Sequence, residues 1–74
     1  MNITEKINLL IEKHAPVDDG LPALQFYRWD HHLQANLWWY RGTAIIDTDR
    51  ALFWLRQWGA NTASIEMQME TRKT

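Results

Sequence analysis

Over the first fourteen residues, apolar side chains fall at Ile3, Ile7, Leu10 and Ile11, with Thr4, Glu5, Lys6, Asn8, Glu12 and Lys13 largely on the other side. That spacing lines one face of a helix of about three turns. The helix has to stop by Ala15, because Pro16 disfavours helical backbone in the residue before it. The stretch APVDDGLP, residues 15–22, holds two prolines, a glycine and two aspartates and reads as a loop.

The pattern then changes. Residues 23–29, ALQFYRW, are aromatic-rich and lack a helix cap, which predicts a strand. A second strand is expected from Leu33 to about Arg41, with Asp30, His31 and His32 as a hairpin connection. Arg41-Gly42 reads as a turn or bulge, and Thr43 to Ile46 either continue the second strand or form a short third one. A helix is the rival for 33–41, since Leu33, Leu37 and Tyr40 also fit helical spacing, Asp30 offers a cap and Gly42 a stop. Strand is preferred because Trp38, Trp39 and Tyr40 favour it and Asn36 is poor inside a helix.

Asp47 or Thr48 supplies the next N-cap, and DRALFWLRQW continues as a helix ending near Gly59. Ala51, Leu52, Trp54, Leu55 and Trp58 fill one arc of its wheel, and Phe53 falls outside it. Ala63, Ile65, Met67 and Met69 alternate with Ser64, Glu66, Gln68 and Glu70, the pattern of a C-terminal strand with one wet face. A strand there could sit at a sheet edge and pair with its symmetry mate. The expected fold is a small single α+β domain over 1–74, with residues 1–2 and 71–74 frayed. It has an N-terminal helix, an antiparallel β-hairpin or three-stranded sheet, a second helix packed on the sheet, and a C-terminal strand.

Three consecutive aromatics, Trp38 to Tyr40, cannot share one face of a strand. A tight loop at His31-His32 pairs Phe26 with Leu37 and Leu24 with Trp39. Leu24, Phe26, Leu33, Ala35, Leu37 and Trp39 then form the core layer. Gln25, Tyr27, Trp29, Gln34, Asn36, Trp38 and Tyr40 share the outer face, and an odd-length loop would instead join Phe26 to the face of Trp38 and Tyr40. Two helices cover one face of a small sheet, so the outer face is either wet and available for contact or covered by the N-terminal helix as a second core.

Composition narrows the function. At 74 residues the chain buries only roughly 60% of its unfolded surface, a thin margin that dimerisation would relieve. There is no cysteine, which removes disulfides and thiol catalysis. Eight basic against nine acidic residues, a net charge of −1, argue against bulk attraction to phosphate. The apolar residues are too broken up for a membrane span, and MNITEKINLL lacks the basic flank and cleavage site of a signal peptide, so a cytoplasmic chain is expected.

Chemistry is sparse. Adjacent histidines on a strand point apart, so His31, His32 and Asp30 make a polar hairpin tip rather than a metal site. Asp18-Asp19-Gly20 is turn chemistry, and Asp47 and Asp49 suit a helix start. Ser64 is the one serine, without an evident base. Neither cofactor nor metal is implied.

Aromatics beside amides instead suit protein contact, where rigid rings supply area and their polar tips tolerate water. The expectation is a small non-enzymatic protein-interaction module acting sterically through an aromatic sheet face. It would be homodimeric, and its size suits an inhibitor or adaptor of the kind mobile elements encode. Tyr27, Arg28, Trp29, Trp38, Tyr40, Arg41 and Phe53 are its candidate partner-binding residues. The alternative is nucleic-acid binding, with the sheet aromatics stacking on bases and Arg28 and Arg41 at phosphates.

Overall fold

The computed structural model describes residues 2–73, apart from the side chains of Ile46, Arg72 and Lys73. It is an α+β fold of three helices and two antiparallel sheets, one of two strands and one of three.

Helix α1 spans Ile3–His14. The Asn2 side chain accepts from the Glu5 amide at 2.8 Å, filling one of the donors that a helix start leaves open. Ala15 leaves the helix in extended backbone before Pro16, as the sequence predicts. The expected loop that follows is ordered into a small hairpin, β1 Val17–Asp18 and β2 Leu21–Pro22. Its two-residue turn, Asp19-Gly20, has both residues at positive φ, the twist that matches flanking antiparallel strands.

The main sheet is a meander of β3 Leu24–Asp30, β4 Ala35–Tyr40 and β5 Thr43–Ile46. Residues 35–40 are therefore strand, and Thr43–Ile46 form a third strand behind a second turn of the same kind at Arg41-Gly42. The β3–β4 connection is four residues long, not the tight His31-His32 turn. The Asp30 carboxylate accepts from the Leu33 amide and Gln34 adopts φ 53°, which closes this longer loop. Leu33, expected in the core, is exposed at its tip.

Helix α2, Thr48–Gln57, is capped by Asp47, whose side chain accepts from the Arg50 amide. It ends in a Schellman motif, with Gly59 N–H bonded to Arg56 O and Ala60 N–H to Leu55 O. Gly59 takes the left-handed backbone that this ending requires.

The expected C-terminal strand is instead helix α3, Ala63–Lys73. Ile65 and Met69 satisfy an alternating pattern but are also one helical turn apart, and both pack on the core while Met67 stays 68% exposed. Glu, Gln, Met, Arg and Lys in this segment all favour helix over strand. Asn61 accepts from the Ala63 amide and the buried Thr62 hydroxyl bonds Glu66, fixing the start. The edge-strand pairing expected of Ser64–Met69 has no place in this arrangement. At the ends predicted to fray, Asn2 caps α1 and α3 extends to Lys73; Met1 and Thr74 lie outside the described residues.

One core joins these elements: Ile3, Ile7 and Ile11 of α1, Leu24 and Trp38 of the sheet, Ala51, Leu52 and Leu55 of α2, with Ala60 and Ile65. Helix α2 packs over β4 and β5, α1 over β3, and α3 against α1. No helix among the described residues is long and apolar enough to cross a membrane.

Candidate functional site

Which aromatics are available is decided by one irregularity in β3. Phe26 pairs with Trp38, but Arg28 pairs with Leu37, so Tyr27 is an extra residue opposite the Leu37–Trp38 step. Such a bulge exchanges faces: Leu24 and Phe26 share a side with Trp38 and Tyr40, whereas Arg28 shares one with Leu37. The inner, helix-covered face consequently holds Leu24, Phe26, Trp38, Tyr40 and Ile45. The face opposite holds Gln25, Tyr27, Arg28, Leu37, Trp39 and Ala44.

Two expected contact residues are therefore corrected. Trp38 is 0% exposed in the core, with the Phe26 ring edge-on at 5.1 Å. Its indole Nε1–H has no hydrogen-bond acceptor among the described residues. Tyr40 lies on the inner face, stacked on Trp54 at 4.2 Å, with Trp58 continuing the stack. Trp39, expected in the core, is the outer aromatic in their place. The N-terminal helix does not cross to make a second core, since its buried residues join the one inner cluster.

The outer face is organised around two rings. Tyr27, 47% exposed, meets Trp39 at 5.2 Å between centroids, and the Arg28 guanidinium lies 5.4 Å from the Tyr27 ring centre. Arg28 also pairs with the Asp30 carboxylate at 3.1 Å. Hydrogen bonding from the Leu33 amide, with the Arg28 charge beside it, holds that carboxyl below its ordinary pKa despite the opposing effect of desolvation. At one end the β1–β2 hairpin stands beside Gln25 and Trp39, enclosing a cleft of about 320 Å³. Arg41 edges this cleft, bonded to the Tyr40 hydroxyl oxygen and ion-paired with Asp18, and both hold its proton more firmly than usual.

The other expected residues scatter. Trp29, 51% exposed, pairs with Asn36 and so belongs to the helix side, where it lines a cleft of about 740 Å³ beyond the cover of the helices. Phe53, 38% exposed on α2, sits edge-on to Trp54 and away from the sheet's outer face. Tyr27, Arg28 and the rim residue Arg41 are thus brought together with Trp39, and Trp29 and Phe53 are not. No family model, curated protein or solved structure matches the chain.

Among the described residues no group of three or more His, Asp or Glu side chains is arranged to hold a metal ion. What the outer face offers is aromatic area with a cation over it, and Leu37 buried between its neighbours. Such features suit contact.

Proposed function

We propose that this chain is a non-enzymatic protein-interaction module that meets its partner through the outer face of β3–β4–β5. The observation that carries the reading is that the helices pack on the opposite face, leaving Tyr27 and Trp39 paired on the uncovered side with Arg28 over the ring. Such rings contribute large contact area at little conformational cost, and a ring-bound guanidinium fixes orientation.

Size shapes the proposal. With β3 and β4 seven and six residues long, three strands outline a face of roughly 300 Å² at strand rises and spacings of about 3.3 and 4.8 Å. A standard interface takes about 800 Å² per partner. The face therefore suits a weak, reversible contact, extended along the β1–β2 hairpin, and a second copy of the chain is the simplest occupant. A steric inhibitor or adaptor role, of the kind mobile elements encode, and a cytoplasmic setting are part of the same proposal. Nucleic acid is the poorer fit, because Arg28 and Arg41 are each already paired with a carboxylate.

The test is light scattering across a concentration series, comparing wild type with Tyr27→Ala/Trp39→Glu. Reversible growth in mass for wild type, and a monomer of unchanged circular dichroism for the variant, is the expected result. A wild type monomeric throughout, or a variant that self-associates equally well, would remove the outer face from this role.

A further inference from the structure

The cleft on the helix side has a chemistry of its own. Its aromatic wall is Trp29, half exposed where β3 runs out beyond the helices. Opposite are the start of α1, at Asn2 and Thr4, and the start of α2, at Thr48; Asn36 and Gln34 close the remaining sides. Among the described residues no charged side chain lines this space of about 740 Å³.

The surroundings bring both signs to the rim. Glu5, hydrogen-bonded to Asn2, and Asp47, the cap immediately before Thr48, supply carboxylates, and the N-termini of α1 and α2 set positive dipole ends beside them. Neither sign dominates, and the uncharged lining suits a neutral ligand.

The polar atoms define that ligand further. Asn36 donates one amide N–H to Thr48 and Gln34 donates one to the His31 carbonyl, so each keeps its side-chain oxygen and a second N–H for a ligand. The Thr48 hydroxyl accepts from Asn36 and keeps its hydrogen to donate, and Thr4 brings a second hydroxyl. First-turn amides of α1 add donors that a helix does not use internally. Alternating donors and acceptors around one exposed indole match a hydroxyl-rich ring, whose apolar C–H face lies on the aromatic while its edge hydroxyls exchange hydrogen bonds.

We propose that this cleft binds a neutral saccharide, stacked on Trp29 and hydrogen-bonded by Gln34, Asn36 and Thr48. The site is separate from the outer sheet face and does not depend on it. A neutral nucleoside is the competing ligand, since a base also stacks on indole.

The experiment is a ¹H–¹⁵N titration of the full chain with maltotriose, cellotriose and triacetylchitotriose, and with adenosine as the competing ligand. Saturable shifts of the Trp29 indole and the Asn36 and Gln34 side-chain amides with at least one sugar are expected. Trp29→Ala should weaken binding at least tenfold and Gln34→Ala severalfold, both with unchanged circular dichroism, while Trp39→Ala binds as wild type. No saturable shift with any of the three sugars at about 20 mM, enough to fill a millimolar site, would overturn the proposal. So would tighter binding of adenosine, or sugar binding that survives Trp29→Ala.

Discussion

Trp38 is the residue on which both the sheet register and the core depend, and its substitution gives a sharp test. The ring is fully buried and its Nε1–H has no acceptor among the described residues. Truncation to alanine removes the largest side chain of the core, a change that typically costs about 3–5 kcal/mol. Against a total stability of about 4–11 kcal/mol for a chain of this length, Trp38→Ala is expected to lose between about a quarter and all of it. Trp38→Phe is a different perturbation. A void of roughly 40 Å³ at about 24 cal/mol per Å³ costs about 1 kcal/mol, and the lost apolar burial adds about 1–2 kcal/mol. Removing an unsatisfied buried N–H returns about 1–3 kcal/mol, so the net change is expected between a gain of about 1 kcal/mol and a loss of about 2 kcal/mol. Urea unfolding followed by far-ultraviolet circular dichroism, with matching slopes for the compared proteins, measures both. A phenylalanine variant as damaged as the alanine one would show that the indole N–H is well bonded. An alanine variant losing under about 0.5 kcal/mol, the range of surface substitutions, would return Trp38 to the outer face and refute the bulged register.

Two further expectations concern single carboxylates. Folding lowers the Asp30 pKa, so the stability it contributes is complete above the ordinary value of 3.8 and is lost as pH falls through the lower folded value. The gap in urea midpoint between wild type and Asp30→Asn should therefore close as pH is lowered from neutral to below 3.8; a gap independent of pH would refute the assignment. Asp47 caps α2 from φ 74°, ψ 155°, a region that suits glycine and costs other residues about 1–3 kcal/mol. Asp47→Gly relieves that strain at a capping cost of only a few tenths, whereas Asp47→Ala loses about 1 kcal/mol, so thermal melting should rank glycine at or above wild type and alanine below; the reverse order would deny the strain.

The helices α1 and α2 were legible because each states its own boundaries: Ile3, Ile7 and Ile11 against Pro16, and Asp47 against Gly59. The β3–β4 hairpin was legible from its aromatic strands, but whether Thr43–Ile46 formed a third strand was left open, because Arg41-Gly42 suits a bulge as well as a turn. The faces of β3 were not, for a specific reason. Replacing a two-residue loop by a four-residue one preserves which residues share a side, so the longer loop did no harm to the expected sorting. The extra residue at Tyr27 did, and neither glycine nor any other local residue at 26–28 announces it. That one insertion moved Trp38 and Tyr40 inward and Trp39 outward. In the C-terminal segment, alternation outweighed composition, although Asn61 and Thr62 are capping residues and the following stretch is rich in helix formers.

The bulge also makes β3 longer by one residue than its partner requires. A three-nucleotide deletion that removed Tyr27 would bring Phe26 and Arg28 into unbroken alternation opposite Trp38 and Leu37, leaving the pairing on both sides as it stands. Loss of Arg28 would be absorbed in the same way, since Tyr27 already faces outward and can take its place opposite Leu37. The bulge is thus slack in the strand, and the exposed surface it carries can be altered without moving the core beneath it.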